Sequence, residues 1–518
     1  MKNSTIIVNL NEGTSDWQIT RFHLDDPPVL RAYPLNRNLR SSAIEGFCSK
    51  TSVYTNEELE CFVSVNPACK FHLDIYRLGY YSGYGGCHKK SFKNLNGITQ
   101  PVPLYSNSRL RNCNWKRSLK LKIPNNWKSG VYLGKLSRSG EFGPQSYVIF
   151  IVKDKNVKPI LIQTSDFTWQ AYNKWPGMDS LYDDGCPETY TPRTGNCVSF
   201  NRPYSRYFQA VDTPLSLGTG EYLVWEYPLS YWLEKVGYDV SYCSNMDTHA
   251  NNAIISNSRI FISVGHDEYW TIKMKNNVKN AIKAGVNVLF LSGNSVSAEI
   301  KPIDESKKNI FRSFCRGNKF NDDINILGST SLGPGYGDWT VTNSNHWIYK
   351  NTLLKNGDKI NGLIGFEYHG GKVSKIDGNQ LVIVAKSKIL RPPARPSRIE
   401  MPQNQMRDNE IFSANKFNCP PGYPNYSGDS ITTPKNDDKE SDYHVATIYN
   451  GPKNNIIFNA GTIWWSSALS NPPGYFPAQA NVFRNTDSGV FTYGGRSSGV
   501  DKRIQIITSN ILNKCLNY

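Results

Sequence analysis

The sequence predicts a multidomain α+β chain: a β-sandwich over residues 1–155, then an α/β domain over residues 156–518 with a β-rich, loop-rich C-terminal part. Three observations carry this. The chain has 518 residues, more than one hydrophobic core usually spans. Its first 155 residues hold short, alternating apolar runs separated by turn formers, with no helical period. After VKDKNVK the pattern becomes strand–helix–strand, the rhythm of a parallel sheet with helices on both faces.

In the first part the runs are KTSVYT, LECFVSV, FHLDIYRLG, LKLKI, GVYLGKL and SYVIFIV. They suit a sandwich of about seven to nine strands. The glycine cluster YRLGYYSGYGG (Tyr76–Gly86) predicts a loop with unusual backbone angles. A phosphate-binding loop is excluded, because neither a following helix nor a Lys-Ser/Thr pair is present. The net charge is +16, and Leu104–Gly140 holds nine Lys/Arg and no Asp/Glu. Such a stretch can attract anions. In SLKLKI, however, the lysines alternate with apolar residues as on a half-exposed strand. No nucleic-acid motif accompanies the charge, so no nucleic-acid partner is expected.

In the second part PILIQTS (Pro159–Ser165) predicts a buried strand. LVWEYPLSYWLEKVGY (Leu223–Tyr238) predicts a helix, and DVSYCS a strand. SRIFISVGHDEYW (Ser258–Trp270) predicts a strand running into a polar turn. TIKMKNNVKNAIKAG (Thr271–Gly285) predicts an amphipathic helix closed by Gly285, and VNVLFLSGNS (Val286–Ser295) the next strand. From about Ile303 the pattern is irregular, with more strand than helix. Residues 391–440 are Pro- and Asn-rich and predict a long loop. Ligands of parallel sheets bind beyond the carboxyl ends of the strands. The chemistry is therefore expected just after Ile162, Val264 and Leu291.

Composition narrows the class. Hydrophobic residues at 39% and charged residues at 20% exclude a mainly disordered chain. No apolar run approaches the roughly 18 residues of a membrane span. The opening MKNSTIIVNLNEGTSDW has no apolar core, so no cleavable signal is expected. Eleven cysteines without a CxxC pair argue against a cysteine zinc site. They favour an extracellular or cell-surface location over the cytoplasm. Cys186 and Cys197 flank CPETYTPRTGNC and could clip that loop shut.

His266, Asp267, Glu268, Asn294, Tyr172 and Tyr182 follow the three strand ends. Together they would make a polar pocket. HDEYW is not HExxH, and no second His stands four residues from His266, so a His-rich zinc site is not supported. The turn Gly265-His266-Asp267-Glu268 holds no nucleophile and no GxSxG exists, which argues against a Ser or Cys triad. A carboxylate with phenolates suits a hard Lewis acid such as ferric iron. On residue chemistry alone, aromatic core and loop packing is the favoured reading, and the metal site is the alternative.

The motifs TWQAYNKWPGMDSLYD, VSFNRPYS, VGHDEYW, NVLFLSGNS and NAGTIWWSSAL, together with FHLDIYRLGYYSGYGG, resemble the large-subunit family of N,N-dimethylformamidase over nearly the whole chain. The resemblance implies a β-rich N-terminal domain and an α/β domain similar to the class I glutamine amidotransferase fold. It also implies a mononuclear Fe3+ held by two tyrosines and one glutamate. Carried over by motif, these are Tyr172 in QAYN, Tyr182 in SLYD and Glu268 in HDEYW, with Arg202-Pro203 downstream. His266 and Asn294 match polar residues around the metal, and Glu367 in GFEYHG is the candidate catalytic glutamate. Tyr172 and Tyr182 are only ten residues apart, closer than the amidase pattern suggests, so Tyr204 in NRPY is kept as an alternative ligand. The implied activity is metal-assisted hydrolysis of a small linear amide. The amidase has a separate small subunit, and nothing in this chain replaces it. A homo-oligomer is expected through aromatic loops such as Tyr80–Tyr84. The alternative function is a structural or glycan-binding protein that retains the scaffold without catalysis.

Overall fold

The computed structural model describes residues 12–25, 39–106, 108–140, 142–177, 179–183, 197–208, 211–333, 335–365, 367–373, 381–389, 442–475 and 499–517. The stretch 391–440 expected as a long loop lies outside them, as does Cys186. The chain is a mixed α+β protein, mostly strand, in several sheets.

Alternation in the first part produces eight strands among the described residues. They are β1 (Ile44–Cys48), β2 (Ser52–Tyr54), β3 (Glu58–Val65), β4 (Lys70–Leu78), β5 (Gly86–Asn96), β6 (Leu119–Lys122), β7 (Gly130–Arg138) and β8 (Gln145–Lys153). They pair as β1-β3-β6 and β2-β8-β7-β4-β5. Ile44 and Val63 of the first sheet share a core with Leu73, Leu136 and Val148 of the second. In β6, Leu121 is buried while Lys120 and Lys122 are exposed. Lys120 and Arg117 pair with Glu58 and Glu60 on β3, which neutralises part of the basic stretch.

The glycine loop joins β4 to β5 and docks on the next layer. Gly85 adopts φ +81°, and a Cβ there would meet the Tyr227 hydroxyl at 2.4 Å. Tyr81 is buried, and Tyr80 packs edge-on against Tyr231, ring centroids 5.3 Å apart.

Beyond the sandwich comes a nine-stranded sheet. Its strands are β9 (Ile160–Thr164), β10 (Val240–Ser244), β11 (Ile260–His266), β12 (Asn287–Gly293), β13 (Ser329–Leu332), β14 (Tyr368–Val373), β15 (Val382–Lys388), β16 (Tyr443–Asn450) and β17 (Ile456–Asn459). The order is β10-β9-β11-β12-β17-β16-β14-β13, with β15 beside β16. Pairing is parallel from β10 to β17 and antiparallel beyond. Successive side chains of a strand face opposite sides. Accordingly Ile260, Ile262 and Val264 enter one core with Ile504 and Ile507. Phe261, Val288 and Phe290 enter the other with Met274 and Val278. The helices supplying those contacts are Lys502–Leu516 and Ile272–Ala284. The latter is closed by Gly285 at φ +103°, as the sequence predicts.

Two expectations are corrected. The helix expected over Leu223–Tyr238 is two helices, Tyr222–Trp225 and Tyr227–Lys235. Pro228 has no N–H to continue the ladder across Glu226. The Glu226 carboxylate instead accepts from Ser165 N at 3.1 Å and Trp169 Nε1 at 2.8 Å. Second, Cys197 is bonded to Cys315, not to Cys186. The two are register partners on the antiparallel strands Cys197–Ser199 and Ser313–Lys319. That bond is compatible with an extracellular location. No helix among the described residues is long and apolar enough to cross a membrane.

Two buried polar links join the sandwich to the larger sheet's layers. Arg77 of β4 donates to both Glu234 oxygens, at 2.7 and 3.3 Å, and twice to the Ser129 carbonyl. Asp247 accepts from Lys153 of β8, from Ser52 of β2 at 2.8 Å and from Ser244.

Candidate metal centre

The candidate residues reach one place by three routes. Tyr172 ends the helix Asp166–Tyr172, which follows β9 directly. Tyr182 comes from the turn beyond, where Leu181 N bonds the Ala171 carbonyl at 2.9 Å. Arg202 fixes this turn. Its guanidinium is buried and donates to Gln170 Oε1 and to the carbonyls of Gln170, Asn173, Trp175 and Asp179. Lys174 and Asp183 form a second clamp at 2.8 Å. His266 is the last residue of β11, and Glu268 lies two residues on. Gly265 has φ +71°, and a Cβ there would meet Trp225 at 2.5 Å, so the turn that aims His266 and Glu268 requires glycine. Glu367 arrives just before β14, and its carbonyl packs against Gly293 at the end of β12.

The polar atoms converge. Tyr172 Oη lies 2.6 Å from Tyr182 Oη and 2.6 Å from Glu268 Oε2. Tyr182 Oη donates to Glu268 Oε1 at 3.1 Å. His266 Nε2 lies 2.7 Å from Glu367 Oε2 and 3.3 Å from Glu268 Oε2, and Nδ1 lies 3.5 Å from Glu221 Oε2. His266, Glu268 and Glu367 each offer a ligand atom within 4.8 Å of the others.

Electrostatics follow from burial and crowding. Burial opposes charging His266, but Glu367, Glu221 and Glu268 outweigh it and hold the imidazole well above its usual range. Burial pushes Glu268 up, yet the neighbouring His266 and the hydrogen bond from Tyr172 pull it below the ordinary value. Burial and the Glu268 charge push the Tyr172 phenol well up. Burial raises Glu221 despite His266.

The donor set fits a hard cation. Three carboxylates crowd one imidazole, with the Arg316 guanidinium over the Tyr182 ring, and buried charged groups need partners. Both His266 ring nitrogens, Glu367 Oε2 and Glu221 Oε1 are buried without an aligned hydrogen bond. Short separations with poor alignment are what ligands around an ion show, and carboxylate and phenol oxygens suit ferric iron.

Tyr204, the alternative ligand, lies elsewhere. Its ring packs edge-on against Trp169 at 6.2 Å, beside a cavity lined by Asp166, Arg202 and Arg312. Asn294 follows β12 at φ +52°, and its Oδ1 accepts from Ser331 Oγ at 2.7 Å. Three neighbours were not anticipated. Tyr269 Oη donates to Tyr182 Oη at 2.6 Å, and its signal was its place inside HDEYW. Arg316 stands with Cζ 5.4 Å from the Tyr182 ring centroid. Glu221 backs His266. Neither Arg316 nor Glu221 sits in a motif that marks it.

A family model described as N,N-dimethylformamidase beta subunit-like, C-terminal, matches residues 72–475. The chain belongs to this N,N-dimethylformamidase beta subunit-like family. The match runs from β4 of the sandwich past β17 and so spans every candidate residue named above. No curated protein matches the chain. Among solved structures, one match is the Pseudomonas fluorescens alkylpurine DNA glycosylase AlkC bound to DNA containing an abasic site analog. It is 14% identical over 22% of this chain and 31% of that chain, with a TM-score of 0.13. An overlap that weak bears on neither fold nor function.

Proposed function

We propose that this protein hydrolyses the C–N bond of a small linear amide, with a mononuclear ferric ion held by Tyr172, Tyr182 and Glu268. One observation supports this above the rest: the two phenol oxygens and the Glu268 carboxylate lie 2.6–3.1 Å from one another in a buried corner. Residues 1–155 and 156–518 are read as its two domains. The second resembles the class I glutamine amidotransferase fold, with ligands at the turn where that fold carries a nucleophile.

Ferric iron bound there supplies Lewis acidity toward an amide carbonyl or water. The remaining work belongs to the chain. His266, kept charged by its carboxylates, donates to the amide oxygen as it gains negative charge. Glu367, at the mouth of the cradle, accepts a proton from the attacking water and returns it to the leaving amine. Ser331 occupies Oδ1 of Asn294, which leaves Nδ2 to orient the substrate.

The test is metal analysis and visible absorption of the iron-supplied protein, with a screen of short amides for amine release. Stoichiometric iron, a phenolate charge-transfer band and amine release are expected, and Glu268→Ala should lose all three. Colourless, iron-free wild-type protein sinks the proposal.

A further inference from the structure

Cys48 and Cys61 lie on neighbouring antiparallel strands, β1 and β3, and are directly opposed in register. Their Sγ atoms are 3.9 Å apart, and both side chains are buried. Antiparallel pairs alternate between hydrogen-bonded and non-hydrogen-bonded positions, and side chains come closer at the latter. Ser49 N bonds the Glu60 carbonyl at 2.9 Å, which makes Ser49/Glu60 a hydrogen-bonded pair. Cys48/Cys61, one step along, is therefore a non-hydrogen-bonded pair.

The bonded pair Cys197–Cys315 occupies the same kind of position. Phe200 N bonds the Arg312 carbonyl at 2.8 Å. Three steps along the same register, Cys197/Cys315 is again non-hydrogen-bonded, with Cα atoms 4.0 Å apart. The Cα separation typical of such a position, about 4.5 Å, lies within the range that disulfides span.

We propose that Cys48 and Cys61 form a second cross-strand disulfide in the mature protein. Both S–H bonds break and one S–S bond forms. Two protons go to solvent, and two electrons go to an external disulfide oxidant, either a protein disulfide or oxidised glutathione. Rotation about the two Cα–Cβ bonds brings the sulfurs together without moving the strands.

The position gives the bond a role. Arg312 donates from Nη2 to the Cys48 carbonyl at 2.9 Å and to the Phe200 carbonyl at 3.0 Å, and its Nε bonds Asn201. One guanidinium thus ties the end of β1 to the strand that carries Cys315 and, next to it, Arg316 over Tyr182. With both bridges closed, covalent staples lie on each side of that tie, from the sandwich to the wall of the metal site.

The full-length protein is exported into an oxidising compartment, unfolded in an alkylating reagent without reductant, digested and mapped by mass spectrometry. A peptide pair joined through Cys48 and Cys61, separated by reduction, is the expected result. Finding both cysteines alkylated, or either linked to another thiol, overturns the proposal whatever the state of Cys197 and Cys315. As a second reading, reductant should lower the Tm of wild-type protein by more than it lowers that of the Cys48→Ser/Cys61→Ser variant. Equal shifts count against the bond.

Discussion

Tyr172 and Tyr182 stack with ring centroids 4.6 Å apart and hydroxyls meeting at 2.6 Å. Two phenols held in this way deliver both oxygens to one point beside the Glu268 carboxylate. Removing one oxygen while keeping the ring tests whether that point is a ligand set. Tyr182→Phe should weaken iron binding by at least about tenfold and bleach the charge-transfer band, since losing even a supporting partner costs that much. Tyr204→Phe should leave both unchanged. Titration of apo-protein with iron checks this, and equal behaviour of the two variants would refute the assignment.

Arg202 satisfies five acceptors around the turn between the two tyrosines. Arg202→Ala strands buried carbonyls, each costing about 1–3 kcal/mol. A loss of about 3 kcal/mol or more in urea unfolding is expected, together with loss of bound iron. A variant that keeps iron at wild-type affinity would show that the turn orders itself without the clamp.

The Arg77–Glu234 pair is buried between the sandwich and the helix Tyr227–Lys235. Removing one partner leaves a buried charge, which costs about 3–5 kcal/mol. Arg77→Met and Glu234→Leu should each cost that much, while the double variant should cost far less than their sum. A double-mutant cycle from denaturant midpoints measures the coupling, and additivity would contradict it.

Asp247 carries the pH dependence of the second link. Burial alone would raise its carboxyl, but Lys153 and the Ser244 and Ser52 bonds outweigh that and hold it below 3.8. Burial likewise opposes the Lys153 charge, yet Asp247 lifts it above 10.5. The depressed acid contributes stability above its unfolded pKa, lost as pH falls through the folded value. The raised base contributes below its unfolded pKa, lost as pH rises through its folded value. Asp247→Asn should therefore destabilise the protein most between about pH 5 and 9, with the deficit shrinking toward pH 3. A deficit independent of pH would reject this.

Local rules made much of the fold legible. Alternation placed the sandwich strands, because each buries one face. Gly285 marked the end of its helix because only an achiral residue takes that backbone angle cheaply. Strand ends pointed to Tyr172, His266 and Glu268, since parallel sheets open at their carboxyl edge. What local rules could not supply were partners set by tertiary packing. Pro228 marks the break at Glu226 in the sequence, but the partners of the Glu226 carboxylate, Ser165 and Trp169, approach only after folding. Cys197 finds Cys315 rather than a sequence neighbour because strand pairing selects it. Glu221 and Arg316 join the site from segments with no distinguishing pattern.

The separation of His266 and Glu367 along the chain has a consequence for biogenesis. Glu367 stands just ahead of β14, in the half of the sheet laid down antiparallel, and emerges from the ribosome after β9, β10, β11 and β12 but before β17, the last parallel strand. An early stop or a protease nick ahead of residue 367 would yield a strand-rich fragment that lacks one jaw of the cradle. Assembly of this polar cluster is thus withheld until residue 367 of the 518 has been made, and a shorter product lacks the carboxylate that lies 2.7 Å from His266 Nε2.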